Sequence, residues 1–368
     1  MPLEDAPAPS HTRGWRPTLA LGAALPAALY LVLTLGYDAS YSHHLYARQP
    51  FLAQYEHGIY RYRVVGREAV VFVAKVLNHF HLVVVTPAVG RSDLFTALLV
   101  VNGAAFVAFT LLLYAATARE PGWLGPYVVL VVLVGASGYV VTPYDHLSYL
   151  LMLAAALVAF GPRPGPWWLC AVLGVVGVAT RESFLVACAA AVGVAVASRG
   201  SDRRTTLLWR NALVLSGASV ATYVGLKLAL ADPREASTFW FSSPFVWEYN
   251  RHLSSVAAVL IVVLGWWALH ALFPRLDAGS RRRWRLARAV LWALSLPYLF
   301  ACLVGGLWFE SLRLLLPLFL AEYLVRASLT VSRTCTHEAV ATHSVVDYEH
   351  RHASGGGPAD GEVDPARR

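Results

Sequence analysis

Glu68 to Val85 reads EAVVFVAKVLNHFHLVVV, and the side of the membrane on which every later loop falls depends on how this stretch is read. It is apolar enough to suggest a span, yet Glu68, Lys75, Asn78 and His79 recur at helical spacing and form one polar stripe. That pattern predicts an amphipathic helix over 68–85 lying in the interface rather than crossing it. The arginines support the choice. With this helix excluded from the spans, Arg119, Arg163, Arg203, Arg204, Arg275 and the run Arg281-Arg282-Arg283-Trp284-Arg285 all collect on the cytoplasmic side, as the positive-inside rule requires.

Outward from this stretch the chain is apolar throughout. Of its 368 residues 57% are hydrophobic and 14% charged, and the mean hydropathy is +0.53, far from the balance of soluble domains. Apolar runs predict spans over about 17–36, 92–116, 125–142, 146–161, 166–180, 183–198, 211–230, 253–273, 286–306 and 312–330. The expected fold is therefore an all-α polytopic membrane protein with about ten transmembrane helices and one amphipathic interfacial helix. The transmembrane domain runs over 17–331, with outer loops at 37–91 and 231–252. Residues 1–16 read as a cytoplasmic N-terminus before a retained first helix, and the polar segment 332–368 as a disordered cytoplasmic tail. This places the protein in the inner or plasma membrane with both termini cytoplasmic.

The net charge of +8 is explained by topology, so nucleic acid is not expected as a partner. Cys170, Cys188 and Cys302 lie in apolar runs without metal-ligand spacing, so no metal site is expected and the thiols read as small buried hydrophobes.

On this topology the unusual polar groups converge outside. Asp38 follows the first span, where a carboxylate can act as a general base or simply end a helix in water. Arg61, Tyr62, Arg63 and Arg67 put three arginines in an outer loop, a clamp for a phosphorylated lipid, a basic interfacial patch on lipid headgroups, or arginines paired with Glu56 and Glu68. Asp145 and His146 open an apolar helix; Asp145 either complements the helix terminus or serves as a second carboxylate that orients an acceptor or holds a divalent cation. Arg181 and Glu182 lie between two apolar helices, where each charge costs roughly 2.5–3.5 kcal/mol on insertion scales. They suit a functional role, or mutual neutralisation with Thr180 as a cap. Glu310 and Arg313 are spaced as an ion pair at the start of the last span, with Arg313 also placed to counter a phosphate.

Together, Asp38, the long first outer loop with its amphipathic helix, Asp145, and Glu310 with Arg313 and Pro317 resemble the GT-C class of integral membrane glycosyltransferases. The resemblance implies transfer of a sugar from a polyprenyl-phosphate donor to a glycan, lipid or protein acceptor on the extracytoplasmic side, among membrane lipids. Asp38 and Asp145 would be the catalytic carboxylates, and Arg61, Tyr62, Arg63, Arg67, His146, Arg181, Glu182, Glu310 and Arg313 would bind substrate. It implies no obligatory cofactor, a divalent cation being optional. Two other readings fit the same residues: an O-antigen-type polymerase or ligase, and a transporter or lipid flippase with Arg181 and Glu182 lining a pathway.

Overall fold

A computed structural model of the chain describes residues 15–36, 48–53, 55–56, 58–83, 85–86, 90–120, 122–138, 142–198, 203–230, 244–304 and 306–330. Among the described residues, apart from a two-residue antiparallel ladder, Val85–Thr86 with Gly90–Arg91, the regular structure is helical. In chain order the helices are α1 (Trp15–Leu19), α2 (Leu25–Gly36), α3 (Arg48–Ala53), α4 (Val64–His79), α5 (Asp93–Leu113), α6 (Leu124–Ser137), α7 (Asp145–Phe160), α8 (Trp167–Thr180), α9 (Leu185–Ala197), α10 (Arg203–Ala229), α11 (Pro244–Asn250), α12 (Leu253–Leu272) and α13 (Ala278–Val304). A further helix, α14, covers 311–330.

Five helical stretches are long and apolar enough to cross a membrane: Arg16–Thr34, Asp93–Ala118, Arg203–Ala229, Leu253–Leu272 and Ala278–Val304. They mark the chain as a membrane protein. Each of the ten apolar runs read from the sequence is helical, but four of the helices are short. A 14-residue helix such as α6 or α8 is about 21 Å long, less than the ~30 Å of hydrocarbon. These short helices are extensively buried, whereas the best 18-residue windows of α10 and α12 are each only 17% buried. In the core, α7 packs against α5, α8, α9 and α10, while α10 and α12 expose most of their apolar surface, as suits lipid contact.

Several boundaries differ from expectation for identifiable reasons. Helix α13 begins at Ala278 because Asp277 caps it, its carboxylate accepting from the Ser280 amide at 2.7 Å; this draws Arg281 to Arg288 into the helix. The amphipathic helix runs Val64–His79 rather than 68–85, and His81, with φ of 57°, closes it. Its Gly66, Val70 and Ala74 are buried, and Glu68 and Lys75 are exposed beside Phe72.

Close packing rests on small residues. A Cβ at Gly193 of α9 would lie 2.6 Å from the Ala287 carbonyl of α13, so only glycine permits that approach. A π-turn over Ala20–Ala24 interrupts the first long helix. Its polar backbone is served from neighbouring helices: Tyr127 donates to the Leu21 carbonyl at 2.8 Å and Thr110 to the Gly22 carbonyl at 2.8 Å. In hydrocarbon, backbone groups need such internal partners. Cys170, Cys188 and Cys302 are free and buried.

Candidate functional site

At one end of the bundle, four connections bring their charged residues together. Arg63 ends the 3-10 turn Gly58–Tyr62 and begins α4; Tyr144 and Asp145 start α7; Arg181 and Glu182 join α8 to α9; Glu310 and Arg313 lie where the turn Trp308–Glu310 enters α14. Arg181 interrupts the helices because its backbone is extended, with φ of −163° and ψ of 138°.

Asp145 is 3% exposed and lies between two cations. Its Oδ1 accepts from Arg181 Nη1. Its Oδ2 lies 2.6 Å from Arg313 Nε, an ion pair whose angle falls outside hydrogen-bond geometry. Arg313 also donates from Nη1 to Glu310 at 2.9 Å and from Nη2 to the Tyr144 hydroxyl oxygen at 3.3 Å. Arg63 donates from Nε to Glu182 at 3.0 Å, and its guanidinium stacks over the rings of Tyr144 at 4.4 Å and Tyr60 at 5.0 Å. The Tyr144 ring thus supports three guanidinium groups, with Arg181 and Arg313 each 5.9 Å from its centroid. Such cation–π contacts gain strength when desolvated.

Charge partition within the cluster is the informative feature. Arg63, Arg181 and Arg313 face Asp145, Glu182 and Glu310, so the described cluster is neutral at rest. The Arg181–Asp145–Arg313 unit is sealed, with side-chain exposures of 2%, 4% and 4%. The Arg63–Glu182 pair is looser, at 8% and 23%. Arg63 Nη1 and Glu182 Oε1, both buried, have no hydrogen-bond partner, so this half has unused capacity. Burial disfavours the charge on Arg63, but Glu182 leads the contributions that leave its pKa above the ordinary value. Burial also lifts the Tyr144 hydroxyl well above the usual phenol range, against the pull of Arg63 and Arg313. It therefore stays protonated.

No protein-family model, curated protein or solved structure matches the chain. What this end of the bundle can do therefore has to come from its own chemistry.

Several placements differ from those the sequence suggested. Arg181 and Glu182 do not neutralise each other: Arg181 turns to Asp145 and Glu182 to Arg63. Thr180 does not cap the following helix; its hydroxyl donates back to the Val176 carbonyl at 2.7 Å. His146 stays out of the charged cluster. It is buried against Tyr30, Phe106 and Tyr149, with Nε2 3.3 Å from the Val134 carbonyl oxygen. Tyr62 sits under the Lys227 ammonium, 3.6 Å from its ring centroid. Arg67 pairs with Glu68 at 2.6 Å on the surface, the bland alternative for that loop. Arg61 is half-buried. Asp38 lies outside the described residues, as do residues 231–243 of the later outer loop. The end of that loop is fixed to the site's border, since Asn250 donates to the Gly306 carbonyl at 3.1 Å and accepts from the Trp308 amide at 2.8 Å. Among the described residues no three His, Cys, Asp or Glu side chains gather as a metal site.

A second buried carboxylate, Glu322 of α14, was not singled out from the sequence. It is fully buried and bonded to Arg288 and two tryptophans. The signal was present: one carboxylate inside an apolar run needs a partner.

Proposed function

We propose that the chain is an integral membrane glycosyltransferase of the GT-C type, moving a sugar from a polyprenyl-phosphate donor to an acceptor on the extracytoplasmic side. The observation that supports this most is the Arg63–Glu182 pair, a guanidinium with unused donor capacity on a tyrosine ring, held where the first long loop meets the bundle. In this reading the ten apolar helices all cross the inner membrane, α4 lies in its outer interface, and both termini are cytoplasmic.

The chemistry divides the cluster into two jobs. Asp145 has both oxygens engaged by cations, so it acts as a positioning residue that fixes Arg181 and Arg313. Arg63 releases Glu182 and takes the donor phosphate, with Arg61 and Arg67 on the same loop adding positive potential. The helices that meet at the cluster, α7, α8 and α9, are short, which in this reading sets the cluster below the membrane surface. That depth suits a lipid phosphate arriving sideways from the bilayer. Asp38 is the base: it takes the proton of the acceptor hydroxyl as that oxygen bonds to the anomeric carbon, and the bond to the donor phosphate breaks with its electron pair leaving on the phosphate.

The test is transfer of radiolabelled sugar from polyprenyl-phosphate donors in vesicles containing the purified chain. Arg63→Ala and Asp38→Asn should each abolish transfer while leaving the amount of folded protein unchanged. Full transfer in Asp38→Asn would remove the base assignment, and absence of transfer from any donor by the unaltered chain would remove the reading. One observation favours a transporter instead: the break at Arg181 leaves two short helices ending at buried charges, a pattern shared with substrate sites of transporters. Donor-lipid movement across the same vesicles without sugar transfer would select that alternative.

A further inference from the structure

About 14 Å further along α14 than Arg313, Glu322 organises a second charged site. Its Oε1 accepts from Arg288 Nε at 2.5 Å and Trp292 Nε1 at 2.6 Å. Its Oε2 accepts from Trp266 Nε1 at 2.9 Å and lies 3.0 Å from His270 Nε2, although that last approach is not aligned as a hydrogen bond. One carboxylate therefore fixes groups from α12 and α13 at once. A second guanidinium adjoins it. Arg326 stacks on Phe273 at 4.7 Å and on Trp284 at 5.4 Å, and Arg288 lies 6.0 Å from the same Trp284 ring. Arg326 is tied to the Pro274 carbonyl at 2.7 Å. Two guanidinium groups against one carboxylate leave the site with a positive surplus.

That surplus reaches the surface through Arg288, whose side chain is 34% exposed. Its two terminal nitrogens hydrogen-bond to no other described residue. Along α13, Arg281, Arg285 and Arg288 recur at i, i+4 and i+7, with Trp292 next on the same face. Arg281 and Arg285 are exposed. Farther along α13, Leu294, Leu296 and Phe300 are between 54% and 61% exposed, and Leu264 and Trp267 of the neighbouring α12 are 63% and 65% exposed. Leu296 lies nearest the arginine face, so the basic ladder borders a surface suited to hydrocarbon.

We propose that Arg281, Arg285 and Arg288, backed by Trp266 and Trp292, bind the phosphate of an anionic phospholipid whose acyl chains lie on the apolar faces of α12 and α13. Glu322 is the positioning residue that holds Arg288 and the two indoles in place. The adjoining apolar surface selects a lipid over free phosphate, and the net positive charge selects an anionic lipid over a zwitterionic one. This site is independent of the glycosyltransferase reading.

The test is thermal unfolding of the purified full chain in detergent, titrated with phosphatidylglycerol, phosphatidylcholine or inorganic phosphate. Phosphatidylglycerol should raise Tm saturably, and the other two should not. Arg285→Gln, which leaves every contact of Glu322 intact, and Arg281→Gln/Arg285→Gln should weaken the apparent affinity progressively, the double variant by about tenfold or more. Arg203→Gln/Arg204→Gln, on a different basic segment, should not. Equal stabilisation by phosphatidylcholine or by phosphate would overturn the proposal, as would an unchanged phosphatidylglycerol affinity in the double variant.

Discussion

The clusters around Asp145 and Glu322 both bury a carboxylate inside an apolar bundle, yet they satisfy it differently. Asp145 is held by cations that are as sealed as it is, Arg181 at 2% and Arg313 at 4% side-chain exposure. Glu322 is sealed, but Arg288 and His270 are 34% and 22% exposed, and two neutral indoles share the load. The first arrangement is closed, with charges that can only answer one another. The second has an outlet, because Arg288 can turn toward water or headgroups when the carboxylate is lost. A closed cluster should therefore be the more brittle of the two.

The largest effect should come from Asp145→Asn. It leaves Arg181 and Arg313 buried without their counter-charge, and breaking a buried ion pair on one side costs about 3–5 kcal/mol. Thermal unfolding in detergent should show a large loss of Tm. Replacing Asp145 with Leu and both arginines with Met, together with Glu310→Gln so that the partner of Arg313 is not left as an unpaired carboxylate, should recover much of it, since an apolar replacement of a whole buried ion cluster is often neutral. Failure of this quadruple variant to recover stability would mean that the cluster holds the helices in register.

Glu322→Gln should cost less, about 1.5–3 kcal/mol, the range of hydrogen bonds to charged groups. The amide oxygen still accepts from one or two of the donors, and Arg288 has a route to the surface. If this variant loses as much Tm as Asp145→Asn, exposure of the partners is not what separates the two sites.

Gly66→Ala addresses how the first loop is seated. A Cβ there would meet the Pro143 carbonyl oxygen at 2.7 Å and Tyr144 Cβ at 3.0 Å, so α4 must shift away from the ring on which Arg63 stacks. Overpacking of this kind costs about 1–3 kcal/mol. Sugar transfer should fall more steeply than stability, because the shift falls on the Arg63–Tyr144 stack. Parallel losses would make α4 a structural strap alone.

Helical periodicity made the fold legible, because hydrocarbon tolerates few alternatives to apolar helices. The span 253–273 needed little more than composition and corresponds to Leu253–Leu272, whereas the apolar run 166–180 corresponds to a 14-residue helix, Trp167–Thr180, shorter than the hydrocarbon is thick. The site was legible as a set of residues but not as a set of pairs. Arg181 beside Glu182, and Glu310 three before Arg313, both suggest local pairing. The second pair forms at 2.9 Å, while the first is exchanged for partners 36 and 119 residues away. Local spacing could not reveal this, because the extended backbone at Arg181 sends the neighbouring side chains in different directions. Glu322 was missed for a related reason: its partners come from α12 and α13, and positive-inside topology already accounted for arginines such as Arg288.

The smallest change in stability should come from Glu182→Gln, and it separates the two clusters most sharply in function. The Glu182 side chain is 23% exposed, against 4% for Asp145, so its charge is less fully removed from water, and the amide oxygen can still accept from Arg63 Nε. A loss of about 0.5–1.5 kcal/mol is expected, the range of a typical hydrogen bond. The same substitution removes one negative charge from a neutral cluster, leaving Arg63 with a guanidinium no longer claimed by a carboxylate. If Arg63 takes the donor phosphate only after releasing Glu182, the variant should bind a polyprenyl phosphate more tightly than the unaltered chain and release it more slowly. Affinity measured by tryptophan quenching and turnover measured by sugar transfer should then move in opposite directions. Weaker binding would mean that Glu182 orients Arg63 toward the phosphate rather than competing with it.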